Sequence, residues 1–270
     1  MTAIAAATAR RLIVTRPADE ATQWVAKLAA RGFDAAALPL IEIAPALDLQ
    51  ALRAAQVRLD RYHAVFFVSG NAVSHFFEQK AASSLVVTSF IATKTRAWAP
   101  GPGTAGALMA AGVPEERVDS PAAHAAQFDS EALWSVVQQQ IAPGGRVLIV
   151  RGSDDGATPA GRDWLARQLD GAGIQVDQVA AYRRSAPAWT DAERALARSA
   201  LTSTNAIWLF SSSQAIANLQ ALLPRTICGD AGAIATHPRI ARSARAAGFG
   251  VVYESRPSLD AVCASIKSFG

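Results

Sequence analysis

The sequence predicts an α/β protein of two similar parallel-sheet domains, joined by a two-strand linker, with one domain inserted in the other. Three observations predict it. Short apolar runs alternate with amphipathic stretches, and no long hairpin signal interrupts them; that alternation belongs to parallel sheets covered on both faces. The chain then repeats itself, in four matching blocks in the same order. Finally, the first block of each copy closes on a strand and a proline, at Pro45 and Pro187. Two such crossings suit an inserted domain. A simple tandem would have one linker, near Pro143, Gly144 and Gly145.

In chain order, residues 12–16 (LIVTR) form the first apolar strand and its polar end, with Thr15 and Arg16 at the turn. An amphipathic helix follows and stops at Gly32, glycine just past the last periodic residue being a helix stop. A second strand leads to the first linker, residues 41–45. Residues 64–68 (AVFFV) run into a small polar turn, Ser69, Gly70 and Asn71, and then a helix. The strand ending at Ala99 feeds Gly101, Pro102, Gly103 and Thr104, and another helix. Ser120 and Pro121 precede the last helix of this copy.

The second copy follows the same order. Residues 147–150 are four apolar residues in a row, the mark of a buried strand, and Arg151 opens a polar loop expected over 151–156. A helix ends near Gly171 or Gly173, and a strand spans 175–182. Residues 207–216 match 64–73, with Ser211, Ser212, Ser213 and Gln214 in the turn. Residues 233–248 match 97–112 without a gap: Ala97, Ala99 and Ala105 face Ala233, Ala235 and Ala241, and Pro102 faces Pro238. Arg256 and Pro257 match Ser120 and Pro121. The expected domains are therefore residues 1–40 with 188–270, and 46–181, with linkers at 41–45 and 182–187.

With 270 residues, half of them apolar and 18% charged, the chain can bury a large core. A net charge of +4 and a pI near 9.4 are a mild basic bias. No Lys or Arg run exceeds a pair, so no nucleic-acid stripe is implied, while an anionic small ligand is suited. Cys228 and Cys263 form no CxxC and no Cys/His cluster, so neither a disulfide framework nor a metal is implied. No apolar run reaches membrane-spanning length. The first ten residues are alanine-rich without a signal-peptide pattern and read as a frayed tail of a cytoplasmic protein.

In parallel sheets ligands sit at strand carboxyl ends, where helix N-termini present backbone amides. The turns there are rich in Ser, Thr, Gly and Asn, which also serve as helix caps. They supply the candidate binding residues: Thr15, Arg16, Ser69, Gly70, Asn71, Gly101, Gly103, Thr104, Arg151, Ser212, Ser213, His237 and Arg239. Gly101, Gly103 and Gly106 satisfy G-x-G-x-x-G, but late in the copy, with Pro102 inside it and no glycines in the matching turn. Asp154 and Asp155 have no third ligand and read as a solvated turn. The histidines, His63, His75, His124 and His237, form no ligand spacing.

This ordered set resembles the uroporphyrinogen-III synthase family over nearly the whole chain. The resemblance rests on Val14-Thr15-Arg16-Pro17, Arg31-Gly32-Phe33, Leu38-Pro39-Leu40-Ile41, Ser69-Gly70-Asn71-Ala72-Val73 and the glycine turn at Gly101. It continues in Asp129-Ser130-Glu131, Val150-Arg151-Gly152, Tyr182-Arg183-Arg184 and His237-Pro238-Arg239-Ile240. It implies a bilobed α/β fold with the site in the cleft, and cyclisation of hydroxymethylbilane to uroporphyrinogen III, with inversion of ring D and loss of water. It implies no cofactor and no metal, a small-molecule substrate with acidic arms, a transient encounter with hydroxymethylbilane synthase, and a monomer. By the same resemblance Tyr182 assists departure of the hydroxyl, and Thr104 matches a family threonine in the cleft. Ile240, the corresponding second-copy position, cannot hydrogen-bond, and Gly70 stands where alanine or proline is more usual.

Two other functions fit parts of the sequence. One is a non-catalytic module of the same fold that holds an acidic ligand; no effector segment is left over to serve it. The other is a nucleotide-dependent oxidoreductase using the glycine turn at 101–106.

Overall fold

The computed structural model describes residues 10–78, 90, 92–122, 124–154, 159–160, 163–224 and 231–269. The expected frayed tail up to residue 9, Cys228, and the loop residues Asp155, Gly156 and Gly161 lie outside the described residues. The strands in chain order are β1 (Arg11–Val14), β2 (Ala35–Ala37), β3 (Glu42–Pro45), β4 (Ala64–Phe67), β5 (Arg96–Trp98), β6 (Val118–Asp119), β7 (Arg146–Ser153), β8 (Gln175–Ser185), β9 (Ala206–Phe210), β10 (Gly232–Ala235) and β11 (Val251–Glu254).

The chain divides into two compact units, Met1–Glu42 with Ser185–Gly270, and Ile43–Arg184. The first unit holds a five-stranded sheet in the order β11-β10-β9-β1-β2, parallel throughout. The second holds six strands in the order β3-β8-β7-β4-β5-β6, parallel from β8 to β6. Written from the other end, the second order is β6-β5-β4-β7-β8-β3, and its first five strands are position for position the repeat counterparts of β11-β10-β9-β1-β2. Each sheet thus combines the opening strands of one copy with the closing strands of the other. The duplication is exchanged between the two units.

Both sheets are buried on two faces, which is why their strands read as continuous apolar runs. In the second unit Val65, Phe67, Leu148 and Val150 face one layer, with Leu52, Val73, Phe76 and Leu108. Ala64, Phe66, Val147 and Ile149 face the other, with Leu133, Val137, Leu165 and Leu169. This is the two-residue period of a strand, expressed in two cores. In the first unit Leu12, Val14, Ile207 and Leu209 pack on Leu28, Val262 and Ile266, while Trp208, Phe210 and Phe249 form an aromatic cluster. Each large side chain so buried contributes about 2 kcal/mol. The helix stops repeat too: Gly32 and Gly173 hold φ of 82° and 72°, a region that costs any other residue strain.

Two strands run past their expected ends. β7 continues through Arg151 to Ser153, and β8 through Tyr182 to Ser185. The polar residues 151–153 were expected to open a turn. Instead they pair with β8, with a register shift between Arg151 and Gly152 that sets Gly152 opposite Tyr182. A long partner strand supplies the ladder hydrogen bonds that carry the polar residues along. Among the described residues, no helix is long and apolar enough to cross a membrane, and no three His, Cys, Asp or Glu side chains come together as metal ligands would.

Candidate functional site

In the second unit the order β8-β7-β4-β5 sets four strand carboxyl ends side by side. Tyr182 stands near the end of β8 and is 4% exposed. Its ring lies against Gly152 so closely that a Cβ there would come within 2.7 Å of ring carbons. Its hydroxyl is 3.2 Å from Ser69 Oγ. Ser69 caps the helix Gly70–Phe77, its Oγ accepting from the Ala72 amide at 3.2 Å. From that helix His75 stacks on the tyrosine ring, centroids 5.7 Å apart and planes 23° from parallel. His75 Nδ1 is 2.8 Å from Glu78 Oε2; an ionised carboxylate only accepts, so this geometry assigns the proton to Nδ1. Tyr182 is therefore held by β7 at Gly152, and at its hydroxyl and ring face by the cap and the body of one helix.

The next turn belongs to the helix Pro102–Ala110, which starts from Gly101. The Phe128 side chain fills the space a Cβ at Gly101 would need, 2.7 Å away, so the chain must be glycine there. Gly103 and Thr104 lie in the first turn of this helix, and Thr104 is buried. Arg151 has a different place. Its Nη1 donates to Asp163 Oδ1 at 2.6 Å and to Gln178 Oε1 at 2.8 Å, and its side chain is 4% exposed. The guanidinium braces β7 against β8 and the start of the next helix.

In the first unit β10, β9 and β1 bring three ends together. Thr15 is buried, and its hydroxyl donates to the Leu209 carbonyl at 2.7 Å, pinning β1 to β9. Arg16 Nη1 donates to Glu20 Oε2 at 3.0 Å, and its guanidinium carbon lies 4.4 Å from the Trp24 ring centroid. Burial pulls its pKa below the usual arginine value, against the pull of Glu20; arginine remains a cation at pH 7 regardless. Ser212 caps the helix Ser213–Leu222, accepting from the Gln214 amide at 3.1 Å. Ser213 Oγ accepts from Ser243 Oγ at 3.1 Å. His237 caps the helix Pro238–Ala246; its Nδ1 accepts from the Arg239 amide at 3.1 Å, which leaves the ring proton on Nε2. Ile240, in the first turn of this helix, is buried.

The structure thus brings Ser69, Gly70 and Asn71 together with Tyr182, and Thr15 and Arg16 together with the Ser212 and His237 turns. Sequence reading missed His75 and Gly152. Gly152 left a signal, because a glycine within a strand marks close backbone approach. His75 left none: six residues from Ser69 is no motif spacing.

Parallel sheets with helix N-termini gathered at their carboxyl ends define a doubly wound α/β protein of the ligand-binding kind. A family model described as uroporphyrinogen-III synthase HemD matches residues 22–264. The chain belongs to the uroporphyrinogen-III synthase family, and is a lyase of that kind, of porphyrin biosynthesis. Solved structures agree in fold. A mutant uroporphyrinogen III synthase from the extreme thermophile Thermus thermophilus is 17% identical at a TM-score of 0.59, the match covering 97% of this chain and 98% of that one. The enzyme from Helicobacter pylori is 18% identical at 0.59, covering 97% and 100%.

Proposed function

We propose that the chain cyclises hydroxymethylbilane to uroporphyrinogen III with inversion of ring D, and that Tyr182 assists the loss of water. The observation that carries the residue-level reading is the contact between the Tyr182 and Ser69 hydroxyls. The Ala72 amide donates to Ser69 Oγ, Ser69 donates to the tyrosine oxygen, and the tyrosine proton goes to the departing hydroxyl. Such a chain polarises each donor in turn. A phenol is ordinarily protonated at pH 7 and so able to donate. The ring also offers its face to the cation left behind.

The substrate's acidic arms are held by amides and hydroxyls of Ser69, Gly70 and Asn71, of Gly101, Gly103 and Thr104, and of Ser212 and Ser213. His237 and Arg239 add donors, and Arg16 adds charge. The role we assign to Thr15 and Arg151 is to position these groups, since their own donors are engaged within the fold. We further propose a cytoplasmic monomer, a transient encounter with hydroxymethylbilane synthase, and a domain division with linkers at 41–45 and 182–187. The net charge of +4 supports attraction of an acidic substrate.

The test is an isomer assay. Hydroxymethylbilane is supplied to the purified protein, and the products are oxidised and separated. Isomer III in excess over the spontaneously formed isomer I is expected. Isomer I alone, at the rate seen without protein, would sink the proposal.

A further inference from the structure

We infer that the second unit carries a separate binding site for a small organic anion, at the amino-terminal edge of its sheet. A cavity of about 330 Å³ lies there, within the size range of small-molecule sites. It is lined by the residues that enter β4 and β5 and by those that leave the helix Ser130–Val137. β4 is about 13 Å long, so this cavity and the Ser69 turn lie at opposite ends of the strand. The inference does not rest on the proposed reaction.

The floor is Trp98. It is 1% exposed, and its indole N–H, also buried, has no hydrogen-bond partner. A buried indole N–H normally finds an acceptor, and leaving it without one is costly. That N–H is closed to solvent, so a guest's donors come from the other residues of the lining. His63 lines the cavity as well. Its Nδ1 accepts from the Arg146 amide at 3.2 Å, so in the neutral ring the proton sits on Nε2, and the ring's remaining polar atom is a donor. Arg61 and Lys94 add two cations that make no ion pair among the described residues.

The acids nearby do not cancel this. Asp119 is occupied, accepting twice from Arg96 and once from Gln140 Nε2 at 3.2 Å. Asp60 is exposed and sets one negative charge against the two cations. The lining therefore offers a guest donors of three kinds, imidazole, guanidinium and ammonium, the last two charged. Its chemistry fits a carboxylate or phosphate on a molecule small enough for the cavity. An aromatic floor favours a flat apolar part.

Phthalate and pyrophosphate serve as probes of the two anion classes. Each is titrated into the full chain at constant ionic strength and followed by calorimetry and by thermal melting. We expect at least one to bind saturably, with Kd of about 1 mM or tighter, and to raise Tm; whichever does so names the class. The Arg61→Glu, Lys94→Glu double variant should weaken binding by about tenfold or more, the two charges being on the surface where folding is spared. Tyr182→Phe and Arg16→Met should leave Kd unchanged. The inference falls if neither probe saturates by about 10 mM, if the double charge reversal leaves Kd unchanged, or if Tyr182→Phe or Arg16→Met moves it instead.

Discussion

In the first unit the strand-end arginine, Arg16, stands over the Trp24 ring with Glu20 at 3.0 Å. In the second, the strand-end arginine, Arg151, is buried between Asp163 and Gln178. The two units share strand order, helix stops and turn positions, yet they use equivalent residues differently. The contrast extends to the neighbouring strand. β2 has three residues, all alanine, whereas its counterpart β8 has eleven and carries Tyr182. Thr104 in one unit answers to Ile240 in the other. The repeat sets where a residue stands along its strand or helix. Its chemical role follows from the partner strand, and only the second unit has one long enough to seat a tyrosine over a glycine.

The largest effect should come from that seat. Gly152→Val drives a side chain into the tyrosine ring. Turnover should fall by more than about 100-fold, as expected when a reacting group is displaced by an ångström. Wild-type turnover in this variant would mean that the ring can yield, and that the two units are more alike than their geometry says. Tyr182→Phe removes only the hydroxyl. A fall of about ten- to a hundred-fold in kcat is expected, with about 1 kcal/mol lost from stability for one buried hydrogen bond. If kcat holds while Tm drops, the tyrosine is packing and nothing more.

The arginines come next. Arg151→Met should destabilise the chain by about 2 kcal/mol, because Gln178 loses its partner and the stem its packing; Asp163, 55% exposed, can rehydrate. Arg16→Met should cost no more than about 1 kcal/mol, the worth of an aromatic contact and one helical pair. Its larger expected effect is a rise of about tenfold in KM. Denaturant melts and kinetics on the two variants side by side would expose an error: equal stability losses, or a KM rise confined to the Arg151 variant, would erase the distinction drawn between them.

The smallest effect tests a pair of helix starts. The helix Asp191–Leu201 opens with a capping box of Thr190 and Glu193, while its counterpart Gln50–Val57 follows Leu49 with no side-chain cap. Thr190→Ala should cost about 1 kcal/mol. The Thr190 amide and hydroxyl hold the Glu193 carboxyl below the usual carboxylate range. A lowered folded pKa means that this stabilisation is complete above the ordinary carboxylate pKa. It is lost as pH falls through the lower, folded value. The Tm gap between wild type and Thr190→Ala should therefore narrow in acid; a gap that widens would show that the carboxylate is not the partner.

Much of the fold was legible because it is written locally. Four apolar residues at 147–150 mean a buried strand, Gly32 and Gly173 mean helix stops, and Ser69, Ser212 and His237 sit where caps are needed. The candidate site was legible to the same depth and no further. Turn residues could be named, since a cap and an anion ask for the same amides. Arg151 was read as opening a turn because a charged residue after an apolar run ordinarily does; here β8 continues beside it and its charge is met inside. His75 was passed over because stacking on a ring more than a hundred positions away leaves no periodic trace.

By itself the sequence determined the alternation of strands and helices, the duplication, the helix ends and the family. These follow from side-chain periodicity and backbone preference, which act within a few residues. Only the tertiary structure decided that β1 lies between β9 and β2, and β7 between β4 and β8. It alone decided that a bulge between Arg151 and Gly152 sets Tyr182 over a glycine, and that its hydroxyl meets Ser69, 113 residues away. Such pairings depend on which faces can be buried together and on the register in which two distant strands meet. That energy belongs to the packed sheet, and no short stretch of chain contains it.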